Sequence, residues 1–400
     1  MNKTFRVGIT GAGIVSTLGY GRQKFSKIVF AKEKSSFFSL YEHPLLDFDV
    51  LVGKVDKNNI LDNIKKTHAT PTGYLCLSAA KEAYDEAISN GRKPPTGLIV
   101  GTSTGGQNES EVALEALLSG KEIHFSMTEK GAISSPSRFV ADQLNFKGEI
   151  ATVSTSCTSS ANAIALGVSW IREGRHKSVL VGGGDALCAT TVASFYNLNL
   201  TGSKSSRPFG QSRTGMTIGE GAAFLVLEAI DTTEPNEQNY LCEIVRVGLS
   251  SDAHHMTAPE PSGAGAIAAM SSALKDAHLT INDISYINAH GTGTKLNDAT
   301  EAKAIRSLFG ESPVSSIKGL VGHTLAGSGA IEAVLAIESI IKNKAPSNFG
   351  VEQVGDDCPI TLVPQEGLNL GKTPVIMSNS FAFGGNNCVL IFAQSTTIRE

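Results

Sequence analysis

The chain has 400 residues, 41% of them hydrophobic and 18% charged, with 41 glycines and a formal net charge of -4. That composition excludes a disordered chain, and the length leaves room for one or two domains around a sizeable core. A mildly acidic chain without a basic patch has no general attraction for phosphate backbones, which sets nucleic-acid binding aside.

The opening MNKTFRVGIT runs directly into apolar residues without a signal-peptide pattern. No apolar run approaches the ~20 residues of a membrane span, so a cytoplasmic protein away from membranes is expected. Six cysteines, Cys76, Cys157, Cys188, Cys242, Cys358 and Cys388, show no CxxC or disulfide-scaffold spacing, which fits free thiols in a reducing compartment. Five of them read as small core residues.

Residues 5–10 read as a buried strand that Gly11-Ala-Gly13 turns toward a helix near Gly19. A helix is predicted over 74–88, where Leu75, Ala79, Ala83 and Ala87 share one face. Short apolar strands follow at 97–101 (GLIVG), 178–182 (SVLVG), 223–228 (AFLVLE), 284–289 (ISYINA) and 389–393 (VLIFA). Strands alternating with helical patterns imply layered α/β architecture. The polar stretch 231–239 (DTTEPNEQN) is the best boundary, dividing the chain into 1–235 and 236–400.

Four segments carry chemistry. Residues 151–174 run from a strand through small polar residues into a helix, with Cys157 at the turn. The free N–H groups and positive end of that helix favour a thiolate there and place an oxyanion donor beside it. The bland alternative is a buried structural cysteine. Residues 287–301 (INAHGTGTKLNDATE) bring a strand to His290 and a Gly-Thr loop, in the place where α/β proteins bind ligands. Residues 316–332 (SIKGLVGHTLAGSGAIE) carry Lys318 and His323 in a glycine-rich turn before a helical pattern. Residues 378–392 place two phenylalanines and a Gly-Gly pair before the last strand, either a tight turn or a mobile gate. His254 and His255 are adjacent rather than at helical ligand spacing, and no Cys/His grouping suggests a metal.

Taken together, RVGITGAGIVSTLG, TSCTSS, SRPFGQSRTGMTIGEGAAFLVLE, NAHGTGT and KGLVGHTLAGSGAIEA occur in an order that resembles the β-ketoacyl-acyl carrier protein synthase family, in its elongating branch, over nearly the whole chain. The resemblance implies a thiolase-like α/β fold, a duplicated five-layer αβαβα architecture with Cys157 in the first half and His290, Lys318 and His323 in the second. It implies an acyl group held on Cys157 and a malonyl group decarboxylated against His290 and His323, with the N–H of Phe383 completing an oxyanion hole. Lys318 matches the lysine supporting that network and Glu332 a buried acid beside it. Thr292 and Thr294 match hydroxyls that contact the pantetheine arm, and His255 and Thr257 are placed along the same channel. No cofactor is implied, because substrates arrive on the phosphopantetheine of acyl carrier protein. Lys65, Lys66 and Arg207 are candidates for meeting that acidic partner. A dimer is implied as well, of two copies or with a degenerate paralogue.

Three departures stand out: Gly210 and Thr214 where acids are usual, and Ala382 where glycine is common. The last is expected to restrict a flipping gate loop, since Ala resists positive φ. The altered hallmarks leave fatty acid, polyene and polyketide chains open as products. A thiolase would rely on a second cysteine and a single histidine, an acyl-coenzyme A-using initiator on Cys-His-Asn, and a non-catalytic partner would lose its nucleophile.

Overall fold

The computed structural model describes residues 5–31, 37–43, 46–56, 69–123, 125–230 and 240–394. The expected boundary near 235 and the candidate docking residues Lys65 and Lys66 lie outside the described residues. In the first half the main strands are β1 (Arg6–Ser16), β2 (Gly97–Gly101), β3 (Glu149–Val153), β4 (Ser178–Asp185) and β5 (Gly221–Ile230). In the second they are β6 (Cys242–Ser251), β7 (Tyr286–Asn288), β8 (Pro313–Ser315), β9 (Thr361–Leu362), β10 (Val375–Phe381) and β11 (Asn386–Ala393).

Hydrogen bonding orders these strands β9-β8-β7-β10-β11-β6-β1-β5-β4-β2-β3. Each half repeats one plan. Three strands are parallel (β3, β2, β4; then β8, β7, β10) and two antiparallel strands complete the set (β5, β1; then β11, β6). Among the described residues the halves pair edge to edge through Gly8 opposite Glu243 and Ile9 opposite Cys242.

The apolar runs are buried on both faces, and the period of two decides which layer each side chain enters. Along β5, Ala223, Leu225 and Leu227 enter the central core, whereas Ala222, Phe224 and Val226 enter an outer one. Along β11, Cys388, Leu390 and Phe392 point to the centre and Val389, Ile391 and Ala393 outward. Helices α1 (Pro71–Ser89) and α3 (Ala264–Ala277) cover the outer faces. Between the sheets lie α2 (Ser159–Arg172) and α5 (Ser328–Lys342), packed on each other. Thirteen of the fifteen residues of α5 are buried, as expected of a helix enclosed all round. The fold is the thiolase-like five-layer αβαβα arrangement.

One sequence expectation is corrected. Gly11-Ala-Gly13 does not turn the chain: β1 continues through it to Ser16, and the next helix starts at Arg22. The glycines serve close packing, since a Cβ at Gly11 or Gly13 would lie 2.1 Å from the carbonyl oxygen of Ala83 or Ala79 on α1.

Candidate active site

The parallel strands of both halves end at one cavity of about 390 Å³, lined by Cys157, His290, His323 and Phe383 and, toward the mouth, by Thr257, Thr292 and Thr294. Cys157 sits between β3 and α2 and is only 6% exposed. Its predicted shift toward thiolate is not what the pocket imposes. Burial pushes the thiol up to about 12, against the Lys318 charge and the backbone N–H groups of Cys157 and Phe383, with Asp185 adding to the rise. Desolvation outweighs the Lys318 charge and those backbone donors, so Cys157 rests as a thiol.

His290 follows the end of β7. Its backbone N–H and that of Gly291 donate to Glu301, each at 2.8 Å, and the N–H groups of Thr292, Gly293 and Phe209 donate to Asp298 at 2.7 to 3.1 Å. Both acids lie on α4 (Lys295–Phe309) and fix the loop that carries the imidazole. Burial pushes Glu301 up to about 7 despite those backbone donors.

The tautomers follow from the partners. His323 Nδ1 accepts from the Leu325 N–H at 3.2 Å and lies 3.0 Å from Ser328 Oγ. A backbone N–H only donates, so the ring proton of neutral His323 is on Nε2. His290 Nδ1 lies 3.4 Å from Lys318 Nζ, which as an ammonium also only donates, and the same reasoning gives Nε2–H. The rings meet edge to face with centroids 5.3 Å apart. Both are held neutral well below the usual histidine range, by burial first and by the Lys318 charge second.

Lys318 is 1% exposed, bonded to the His290 carbonyl oxygen and ion-paired with Glu332 from α5. Burial pushes Glu332 up to about 7, against the pull of Lys318. Neither side chain lines the cavity: they stand behind His290.

The loop after β10 carries Phe383, whose N–H faces the Cys157 thiol and whose ring stacks on Phe195 at 5.6 Å. Gly384 and Gly385 take φ of 80 and 75, the left-handed region in which glycine is at ease. Ala382 is extended at φ -133, so its Cβ is unstrained in this conformation and the expected restriction does not operate here.

Thr292 and Thr294 hydroxyls lie 2.9 Å apart. Thr257 lines the cavity but His255 does not: its Nδ1 accepts the N–H groups of Thr257 and Ala258 and so braces that turn. Gly210 lies off the cavity, whereas Thr214 is on its wall. Arg207 is half-buried and donates to Ser212 Oγ at 3.1 Å.

Sequence reasoning missed the supporting acids. Asp185, at the end of β4, is fully buried and accepts from Thr102, Ser103 and Thr104 after β2 and from the Ala326 N–H at 3.0 Å beyond His323. It ties the first half to the His323 loop. An acid closing the buried strand SVLVGGGD was the available signal, as were Asp298 and Glu301 on one helix face. Among the described residues no group of three or more His, Cys, Asp or Glu is placed to hold a metal ion.

Comparison with known proteins agrees with this geometry. The β-ketoacyl synthase N-terminal domain matches residues 5–232 and its C-terminal domain residues 241–352. The chain belongs to the β-ketoacyl synthase family. It is 30% identical to 3-oxoacyl-[acyl-carrier-protein] synthase 2 of Coxiella burnetii, over 97% of this chain and 98% of that one. Among solved structures, the ishigamide ketosynthase/chain length factor superposes with a TM-score of 0.89 at 28% identity, covering 98% of this chain and 100% of that one. The ketosynthase ApeO in complex with its chain length factor ApeC from Xenorhabdus doucetiae gives 0.84 at 33% identity, covering 98% of each. This β-ketoacyl synthase is thus an acyltransferase-class enzyme that condenses an acyl group with malonyl-acyl carrier protein.

Proposed function

We propose that Cys157 is the acyl-bearing nucleophile and that His290 and His323 act together on the malonyl group. In the first step Sγ attacks the thioester of an acyl carrier protein. The new S–C bond forms, the carrier S–C bond breaks, and the thiol proton leaves with the carrier sulfur. In the second, the C–CO2 bond of a malonyl thioester breaks and its electron pair passes into an enolate. Two neutral Nε2–H donors stabilise that oxygen without giving up their protons, and they are most effective in a dry cavity. The enolate carbon then attacks the acyl carbon, and the oxyanion accepts from the N–H groups of Cys157 and Phe383. Collapse returns the Cys157 thiolate, which takes a proton from solvent. The pairing of both imidazoles as Nε2–H tautomers is the observation that carries this reading.

Lys318, anchored by Glu332, holds His290 Nδ1 as an acceptor, and Thr257, Thr292 and Thr294 line the path of the pantetheine arm. The reaction needs no bound cofactor. Acyl carrier protein is the donor and acceptor partner, with Arg207 among the residues it meets. A second condensing-enzyme chain is proposed at the outer edge of β3, an unpaired sheet edge where Ile150 is exposed. The ketosynthase and chain length factor assemblies of the structural relatives support a related, non-identical chain. Among the described residues no helix is long and apolar enough to cross a membrane, which supports the cytoplasmic placement.

Intact-mass spectrometry after incubation with acyl carrier proteins of graded chain length and unsaturation tests the proposal. One acyl adduct is expected, absent in Cys157→Ala and discharged by malonyl carrier as a product two carbons longer. An adduct persisting in Cys157→Ala would refute the assignment.

A further inference from the structure

The turn carrying Cys157 is strained and externally braced. Ser156, immediately before it, has φ 54, a left-handed conformation that is unfavourable for a non-glycine residue. Such strain persists only where the surroundings over-determine it. Ser159 holds the Ser156 carbonyl, and a second brace, reaching both sides of Cys157, is Asn162, one turn into α2. Its Nδ2 donates to Thr155 Oγ1 at 2.9 Å and to Thr158 Oγ1 at 3.3 Å, and its own N–H bonds the Thr158 carbonyl at 2.8 Å. Thr158 Oγ1 closes the loop by donating to the Thr155 carbonyl at 2.7 Å. One helical amide therefore grips residues on both sides of the nucleophile, although Asn162 does not line the cavity.

We propose that Asn162, acting through Thr155 and Thr158, is a positioning residue that holds the Cys157 thiol against the Phe383 N–H and the imidazole pair. The proposal rests on Cys157 being the nucleophile. Without the amide, the flanks of Cys157 relax from the Ser156 conformation and Sγ moves relative to donors supplied by the other half. A displacement near 1 Å costs on the order of 100-fold in rate. Ser159 keeps its bonds to Thr155 N–H (2.9 Å) and the Ser156 carbonyl (2.6 Å), so the helix start survives when the amide is removed.

Single-turnover acylation of the full chain by an acyl carrier protein thioester tests this, with KM for malonyl carrier and the melting temperature measured alongside. Asn162→Ala and Thr155→Val should each slow acylation by about 10- to 100-fold and leave KM and melting nearly unchanged. Their double variant should be no slower than either alone, because both cut one brace. Thr155→Ser, which restores the hydroxyl, should recover most of the rate lost in Thr155→Val. Acylation of Asn162→Ala or Thr155→Val at the parental rate overturns the proposal. Cys157→Ala run in parallel separates the two failures. If it still acylates, the nucleophile assignment falls; if it is inert while Asn162→Ala is fully active, only the positioning role falls.

Discussion

In the first half, the loops after β2, β3 and β4 present Thr102–Thr104, Cys157 and Asp185; in the second, the loops after β7, β8 and β10 present His290, Lys318 with His323, and Phe383. These are the same three places in one repeated topology, and parallel strand ends are where such sheets gather ligands. The chemistry has diverged. The first half spends two of its three strand ends on a buried carboxylate and its donors, leaving Cys157 as the group that reaches the cavity. The second brings His290, His323 and Phe383 to the cavity wall and supports the two histidine loops from behind with Lys318, Glu332, Asp298 and Glu301. Duplication supplied the convergence, and side-chain choice then separated framework from reactivity.

That division can be broken at its reactive end first. Removing His323 in His323→Ala should lower malonyl decarboxylation by about 10²- to 10³-fold, the cost of losing a placed oxyanion donor. Acylation of Cys157 should stay within a few-fold. Equal loss in both steps, followed by rapid quench, would mean that the second half also drives acyl loading.

The framework of the first half should show its importance in stability instead. Asp185→Ala strands the buried Thr102 hydroxyl and Ala326 N–H and the half-buried N–H groups of Ser103 and Thr104, and should cost about 3 kcal/mol in urea unfolding. A loss confined to activity would reassign Asp185 from framework to chemistry.

The pH response sharpens the contrast further. Both histidines are depressed in the folded chain, so their neutral donor forms persist as pH falls through the ordinary histidine range. The condensation rate should therefore hold below pH 6.5, while stability falls there because the unfolded chain binds protons that the folded one refuses. Cys157, pushed up to about 12, should be alkylated by iodoacetamide at a rate still rising at pH 10, without the plateau of an ordinary thiol. The smallest effect belongs to the gate. Ala382→Gly should lower stability by only about 0.5–1 kcal/mol, since Ala382 is already extended. A marked gain in turnover would show that the loop must pass through positive φ.

Much of this was legible in the chain. Helix 74–88 was readable because burial of one face imposes a period of 3.6 on apolar residues, and strand 97–101 because burial on both faces makes a short continuous apolar run. Cys157 and His290 were readable because each sits where a strand gives way to a serine- or glycine-rich turn, and His323 because it lies in a glycine-rich turn before a helical pattern. β6 and β10 were not singled out, since their polar residues, such as Glu243, Ser378 and Asn379, hide the pattern and find their partners on distant elements. The role of Gly11 and Gly13 was misread because a glycine in a strand and one in a turn look alike until the helix against it is known.

By itself, then, the sequence determined which side chains are candidates for chemistry, since residue type and local turn chemistry are properties of short segments. Only the tertiary structure decided their charge states and donors. Burial, which depends on both halves closing over the cavity, makes Cys157 a thiol and the histidines neutral. Lys318, brought behind His290 from a distant segment, and the folded turn that sets Leu325 N–H and Ser328 against His323 then choose which ring nitrogen carries the proton.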